Sequence, residues 1–466
     1  MPLTVRMMPE DGGRLVQNRD YYDPRLAYTP GSMISVMVVP QGPYQFTGWK
    51  GDIPLEHECD MPLQIQVTSK QQAIVATFQK NSTHAAELVF NSNFENGNGI
   101  LRYYDRAARR LVIEPQQINL ADNIWWHFKI HNITPGEFLW LDLGHWPVAG
   151  DCQPVYSYDG IHWQRLTGVK SPYIQRFDAP SVEISRNIPY PISRSISLAE
   201  ELAGPLVSPQ ILAVSEAGHP VKMLRFTDPQ VPDEKKRIIW IMARQHAFES
   251  HSSYYAEGLA KWLTGGSAEA GDVVRRFIVY ITPVMDVDNV FLGGAGKEQL
   301  TWDQCRVDFN RQWGDQSYWV AIRSARCLLE ELHKNFDIAA FIDLHNPWYP
   351  DLPHWHIPEA FESQATEFAP IWSAALEATQ TGEQWKHQLN IQRSEGQGIE
   401  PTIEPNLRSA ALYAVANLFP QRAGHLCFTI ETPHWTDGFG HPITIRTLYA
   451  YGEALGRALG TYFKEK

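Results

Sequence analysis

The chain has 466 residues, 44% hydrophobic and 20% charged, with a net charge of −12 and a pI near 5.8. That length predicts two to four folded units rather than one. With no Lys/Arg-dense run, the composition argues against nucleic acid or an anionic membrane as the main partner, and no apolar stretch approaches the roughly 20 residues of a membrane-spanning helix.

The opening residues from Met1 to Arg6 lack the apolar core of a signal peptide, which favours a cytoplasmic location. The five cysteines (Cys59, Cys152, Cys305, Cys327, Cys427) are scattered and odd in number, without a Cys-x-x-Cys pair. Buried free thiols are therefore expected rather than a disulfide framework or a cysteine zinc site.

In chain order, residues 2–79 read as short strands. Alternating apolar residues run from Leu3, from Ser35, from Leu63 and from Ala73, with Gly, Pro, Asn and Asp between them. The segment from Tyr44 through Gly48-Trp49-Lys50-Gly51-Asp52, ending at Phe78, resembles the bacterial internalin-type B repeat, a small β module. That resemblance implies an appendage of a secreted or surface protein and pulls against the cytoplasmic expectation. Residues 80–193 are predicted as an antiparallel β-sandwich, with alternation at 86–90, 125–131 and 138–143. Asp159-Gly160 is predicted to turn a hairpin there.

From about residue 194 the pattern changes. Short, fully apolar runs at 238–242, 277–282, 339–344 and 426–430 are predicted as buried strands. They alternate with predicted helices at 252–264, 315–335, 362–379 and 444–463. The prediction is an α/β domain with a mixed, mostly parallel sheet flanked by helices.

The chemistry sits at the ends of those strands, where ligand sites of open α/β sheets lie. His246 and Glu249 follow the first run, His345 follows the third and Glu431 closes the fourth. Two His and one carboxylate are a catalytic zinc set that leaves a fourth position for water, and Glu431 fits a general base. Arg311 offers a planar fork for a carboxylate and Asn310 an amide donor. Asp308 is placed to accept the second imidazole proton of a metal-bound histidine.

These strings together resemble the zinc metallocarboxypeptidases, and within them the cytosolic-carboxypeptidase-like branch. Carrying the likeness are Ser215 to Pro220, Ala243 to Ser250, Thr282 to Val290, Asp308 to Trp313, Asp343-Leu344-His345 and Ile430-Glu431. Residues 87–99 are similar to the start of that branch's N-terminal sandwich, so the resemblance covers about 80–466. It implies one zinc ion per chain on His246, Glu249 and His345, with Glu431 activating water. It also implies that Asn310 and Arg311 bind the C-terminal carboxylate of a peptide or protein, whose last residue is removed. The family's oxyanion arginine has Lys297 and Arg306 as candidates, and its mobile tyrosine has Tyr413. The Asn-Pro-Asp-Gly turn has become Asp286-Val287-Asp288-Asn289. His354, Trp355 and His356 are expected in a surface loop. Two other readings stay open: a zinc amidohydrolase or deacylase acting on an N-acyl amino acid or cell-wall peptide, and a surface binding protein with a degenerate peptidase domain.

Overall fold

Two compact units form. One comprises residues 1–94, 98–116 and 126–186, the other 95–97, 117–125 and 187–466. The computed structural model describes residues 3–15, 22, 24, 28–40, 44–60, 63–80, 87–116, 124–143, 153–168, 171–296, 299–300, 306–314, 317–346, 354–379, 390–393, 409–421, 423–436 and 441–464.

In the first unit, Gln72–Lys80 is the central strand of a small sheet, parallel to Leu3–Met8 and antiparallel to Tyr44–Gly51. Its inward residues, with Val36, Trp49 and Leu63, form an apolar cluster that also takes in Phe138, Trp140 and Ile174. The last three belong to the sandwich strands Glu137–Asp142 and Tyr173–Phe177, so the first 80 residues and the sandwich share one core. The sandwich has one four-stranded and one five-stranded sheet. One of its pairings corrects the antiparallel expectation: Arg110–Glu114 lies parallel to Glu137–Asp142. Between those two strands the chain crosses to the other sheet as His127–His131, and a parallel pair needs such a crossover. The predicted hairpin forms, with Val155 opposite Arg165, but through a longer loop in which Asp159 accepts from the amides of Ile161 and His162.

The second unit is built on one eight-stranded sheet. In chain order its strands are β1 (Val207–Val214), β2 (Pro220–Phe226), β3 (Arg237–Ala243), β4 (Phe277–Thr282), β5 (Ile338–His345), β6 (His354–Ile357), β7 (Asn390–Arg393) and β8 (Leu426–Glu431). Their spatial order is β1-β2-β4-β3-β5-β8-β6-β7. The sheet is mixed: β4-β3, β3-β5, β5-β8 and β6-β7 pair in parallel, the other three pairs antiparallel. Every residue of β4 and β5 is buried, as continuous apolar runs require when both faces of a parallel sheet are covered.

Eight helices are described in this unit: α1 (Ile192–Leu202), α2 (Ser250–Thr264), α3 (Ala268–Arg276), α4 (Val287–Leu292), α5 (Val320–Asn335), α6 (Glu362–Thr379), α7 (Ala410–Asn417) and α8 (Ile445–Tyr462). α2 and α8 cross so closely that a Cβ on Gly452 would lie 2.3 Å from the backbone of Tyr255 and Leu259. The crossing seats α2, whose first turn follows Glu249, firmly against the sheet. No helix among the described residues is long and apolar enough to cross a membrane. Of the cysteines described, Cys427 is buried as expected, but Cys59 and Cys327 are exposed. Cys327 lies on α5, whose outer face is polar, so its spacing leaves it outside the core.

Candidate metal centre

Three adjacent parallel strands end together. Ala243 of β3 lies opposite Leu344 of β5, and His345 of β5 lies opposite Glu431 of β8. The turn after β3 is tight. Arg244 has φ +60°, a left-handed conformation that costs a non-glycine residue about 1–2 kcal/mol. Its buried guanidinium secures the turn, donating from Nε and Nη2 to the Ala247 carbonyl at 2.9 and 2.8 Å and from Nη1 to that of Tyr190. Burial pushes this guanidinium down to about 10. Gly296 closes against the same turn: at φ +73°, its Cβ would stand 2.4 Å from Asp286 Oδ2 and 2.5 Å from the Ala247 amide nitrogen. Only glycine fits that approach.

The turn aims His246 and Glu249 at His345. Glu249 Oε1 is 2.8 Å from His246 Nδ1, and its Oε2 is 2.8 Å from His345 Nδ1. One donor atom from each of the three residues falls within a 4.8 Å cluster, all three buried, so the group could hold a metal ion. The far ring nitrogens are anchored too. His246 Nε2 donates to Asp308 Oδ1 at 2.9 Å, and His345 Nε2 donates to Asp343 Oδ2 at 2.9 Å. Each imidazole is thereby oriented with Nδ1 toward Glu249, which is how carboxylates orient metal-binding histidines. This donor set fits zinc.

The charges are strongly coupled. Burial alone would raise the Glu249 carboxyl, but His246 and His345 beside it hold it below the usual range. Burial alone would lower His345, but Asp343 and Glu249 carry it well above the ordinary histidine value. Asp286, beneath the turn, is pushed by burial up to about 7, although Asn289 donates to both its oxygens.

Asp308 caps the short 3-10 turn Phe309–Arg311, accepting from the Asn310 amide at 2.8 Å. Arg311 is half-buried there and donates to the Asn310 carbonyl, and no carboxylate pairs with it among the described residues. Asn310 is less open than the sequence implied. Its side-chain oxygen accepts from the Ala410 amide at 3.0 Å and its nitrogen sits 3.3 Å from His345 Nε2. Tyr413 is not brought to the group: it is packed on Trp313, and its hydroxyl donates to Glu330 on α5. Lys297 lies outside the described residues, and of Arg306 only the backbone, in the strand Arg306–Val307, is described. Glu431 stands at the end of β8, partly exposed, with Oε1 3.6 Å from His356 Nε2. His356 lies on a strand, β6, and not in the expected surface loop, because Trp355 beside it is fully buried.

Sequence reasoning missed the roles of Asp343 and Gln245. Asp343 had a legible signal: it lies two residues before His345 on a strand and therefore on the same face. Gln245 links the Trp313 indole, which donates to it, to Asp343 Oδ2 at 2.7 Å. That link has no local sequence signal.

The zinc carboxypeptidase family profile matches residues 194–336. The chain carries a zinc carboxypeptidase domain over those residues. The match takes in the strand-end motif with His246 and Glu249 and the Asp308-to-Arg311 turn, and zinc is the family's metal. Among curated proteins, Cytosolic carboxypeptidase 6 of Caenorhabditis elegans is 23% identical over 423 residues, covering 81% of this chain and 87% of the worm protein. Its human counterpart is 23% identical over 292 residues, covering 55% of this chain and 57% of the human protein. Among solved structures, a metallo-carboxypeptidase from Burkholderia cenocepacia covers 82% of this chain and all of its own, at 18% identity and a TM-score of 0.67. One from Pseudomonas aeruginosa covers 81% of this chain at 20% identity and a TM-score of 0.62. At these identities the structural likeness shows a shared fold.

Proposed function

We propose that this metallocarboxypeptidase hydrolyses the C-terminal peptide bond of a peptide or protein. The observation that carries the reading is the register of β5 and β8, which sets Glu431 directly opposite the ligand His345. A carboxylate outside the ligand set, at the same strand end, is where a base would take a proton from water. Bound zinc would lower the pKa of a water toward ~7 and polarise the carbonyl it meets. Glu431 would take a proton as the water oxygen bonds to the carbonyl carbon, and give it to the amine nitrogen as the C–N bond breaks. Arg311, with no carboxylate partner among the described residues, would hold the substrate's terminal carboxylate by its fork. Asn310 would brace His345 and α7 rather than act as an open donor. Charge on the carbonyl oxygen would be met by Lys297 or Arg306.

The test is a mixed library of peptides offered with a free C-terminal carboxylate and, in parallel, as C-terminal amides. Release of single terminal amino acids from the free acids alone supports the reading; equal release from amides, or hydrolysis of N-acyl amino acids only, contradicts it.

The same reading assigns residues 1–79 to an internalin B-repeat-like module, 80–193 to a sandwich of the cytosolic type and 194–466 to the catalytic domain. Support for the first comes from the Gly48-to-Asp52 turn, with φ +139° at Gly48, Trp49 fully buried and Asp52 accepting from the Ala73 amide at 2.8 Å. The names of the relatives favour a cytoplasmic location.

A further inference from the structure

We infer that His356 is a positioning residue for Glu431, holding one oxygen of that carboxylate so that the other faces the reacting water. The inference rests on the reading of Glu431 as the general base.

It starts from strand pairing. β6 runs antiparallel to β8, with His354 opposite Glu431, Trp355 opposite Ile430 and His356 opposite Thr429. Side chains alternate between the two faces of a sheet, so the placement of one residue fixes its neighbours. Trp355 is fully buried on one face. Its ring stacks flat on Phe428, with centroids 4.9 Å apart and 3° between planes, and packs on Phe368 and Trp372 of α6. Phe428 and Ile430 share that face of β8, so Thr429 and Glu431 share the other. His356 must lie with them, diagonal to Glu431, within reach of a long side chain. The Trp355 anchor thus sets the direction of the imidazole.

Nε2 of His356 is 3.6 Å from Oε1 of Glu431, with 18% and 14% of the side chains exposed. That separation is an electrostatic contact and slightly too long for a hydrogen bond. Contacts of this kind are often long without substrate and tighten in the complex. An N–H on Oε1 limits the rotation of the carboxylate and reserves Oε2 for proton transfer. Its proposed role acts through Glu431 alone, so its loss should act on turnover and not on metal or substrate binding.

The test uses the whole zinc-loaded chain and the free-acid peptide that the wild type cleaves fastest. His356→Phe keeps a ring without the N–H, and His356→Gln restores an N–H at similar reach. His356→Phe is expected to lower kcat about 10- to 100-fold, with KM within about two-fold. Zinc content and melting temperature should stay those of the wild type. His356→Gln is expected to recover most of the lost kcat, and His356→Asn serves if the Phe variant does not fold. An unchanged kcat in His356→Phe, or equal impairment in His356→Phe and His356→Gln, overturns the inference. Glu431→Gln in parallel separates the two claims. If it is inactive while His356→Phe is unimpaired, only the positioning role falls; if it turns over normally, the base assignment and the positioning role fall together.

Discussion

Asp343 holds His345 from two residues back on the same strand, with Oδ2 2.9 Å from the ring Nε2. Asp308 does the same for His246 from a separate turn. The two aspartates therefore decide which ring nitrogens face Glu249. Asp343→Asn and Asp308→Asn should each weaken zinc binding about 10- to 100-fold, as the loss of such partners does elsewhere. Competition against a fluorescent zinc chelator measures this, and unchanged affinity in both variants would mean the rings are oriented by something else.

Arg311 should matter to binding rather than to chemistry. Arg311→Ala removes a charge-assisted fork, and a hydrogen bond to a charged group contributes about 1.5–3 kcal/mol. The expected result is a KM raised roughly 10- to 100-fold on free-acid peptides, with kcat changed far less. A loss confined to kcat would place the carboxylate site elsewhere.

Gly296 is a backbone requirement of the metal turn. A methyl group there would meet Asp286 and the Ala247 amide at 2.4 and 2.5 Å, at a φ unfavourable to other residues. Gly296→Ala should destabilise the fold by about 1–3 kcal/mol and loosen zinc at the same time. Thermal unfolding of the metal-free and zinc-loaded protein reads both effects.

Asp286 gives a pH signature. Its carboxyl is raised by burial to about 7, above its unfolded value near 4. A raised acid stabilises the fold fully only below the unfolded value, and that contribution is lost as pH rises from about 4 through about 7. Asp286→Asn removes the ionisation. It should therefore melt higher than the wild type at pH 8 and differ less at pH 5. A constant difference between the two proteins across that range would contradict the assignment.

What the sequence disclosed follows from which forces are local. The strands behind the metal site were legible because burial on both faces leaves an unbroken apolar run, as in Phe277–Thr282 and Ile338–His345. His246, Glu249, His345 and Glu431 were legible because strand ends concentrate chemistry. The strand His354–Ile357 was not, since its alternation spans only four residues between Pro353 and Pro358, which read as loop. Its identity comes from Trp355 stacking on Phe428 and on α6, contacts distant in sequence. Tyr413 drew attention by its position before Glu431, but packing on Trp313 and the bond to Glu330 keep it in the core. The short helix Val287–Leu292, capped by Asp286 accepting from the Asn289 amide, escaped notice because six residues leave little apolar period to read.

The central claim is that Glu431 is the base of a zinc carboxypeptidase whose metal sits on His246, Glu249 and His345. The most direct test measures zinc by mass spectrometry and terminal amino-acid release from the peptide library, wild type against Glu431→Gln. One zinc per chain in both proteins, with release only in the wild type, is the predicted result. Near-normal release by Glu431→Gln, or loss of zinc from it, would contradict the account.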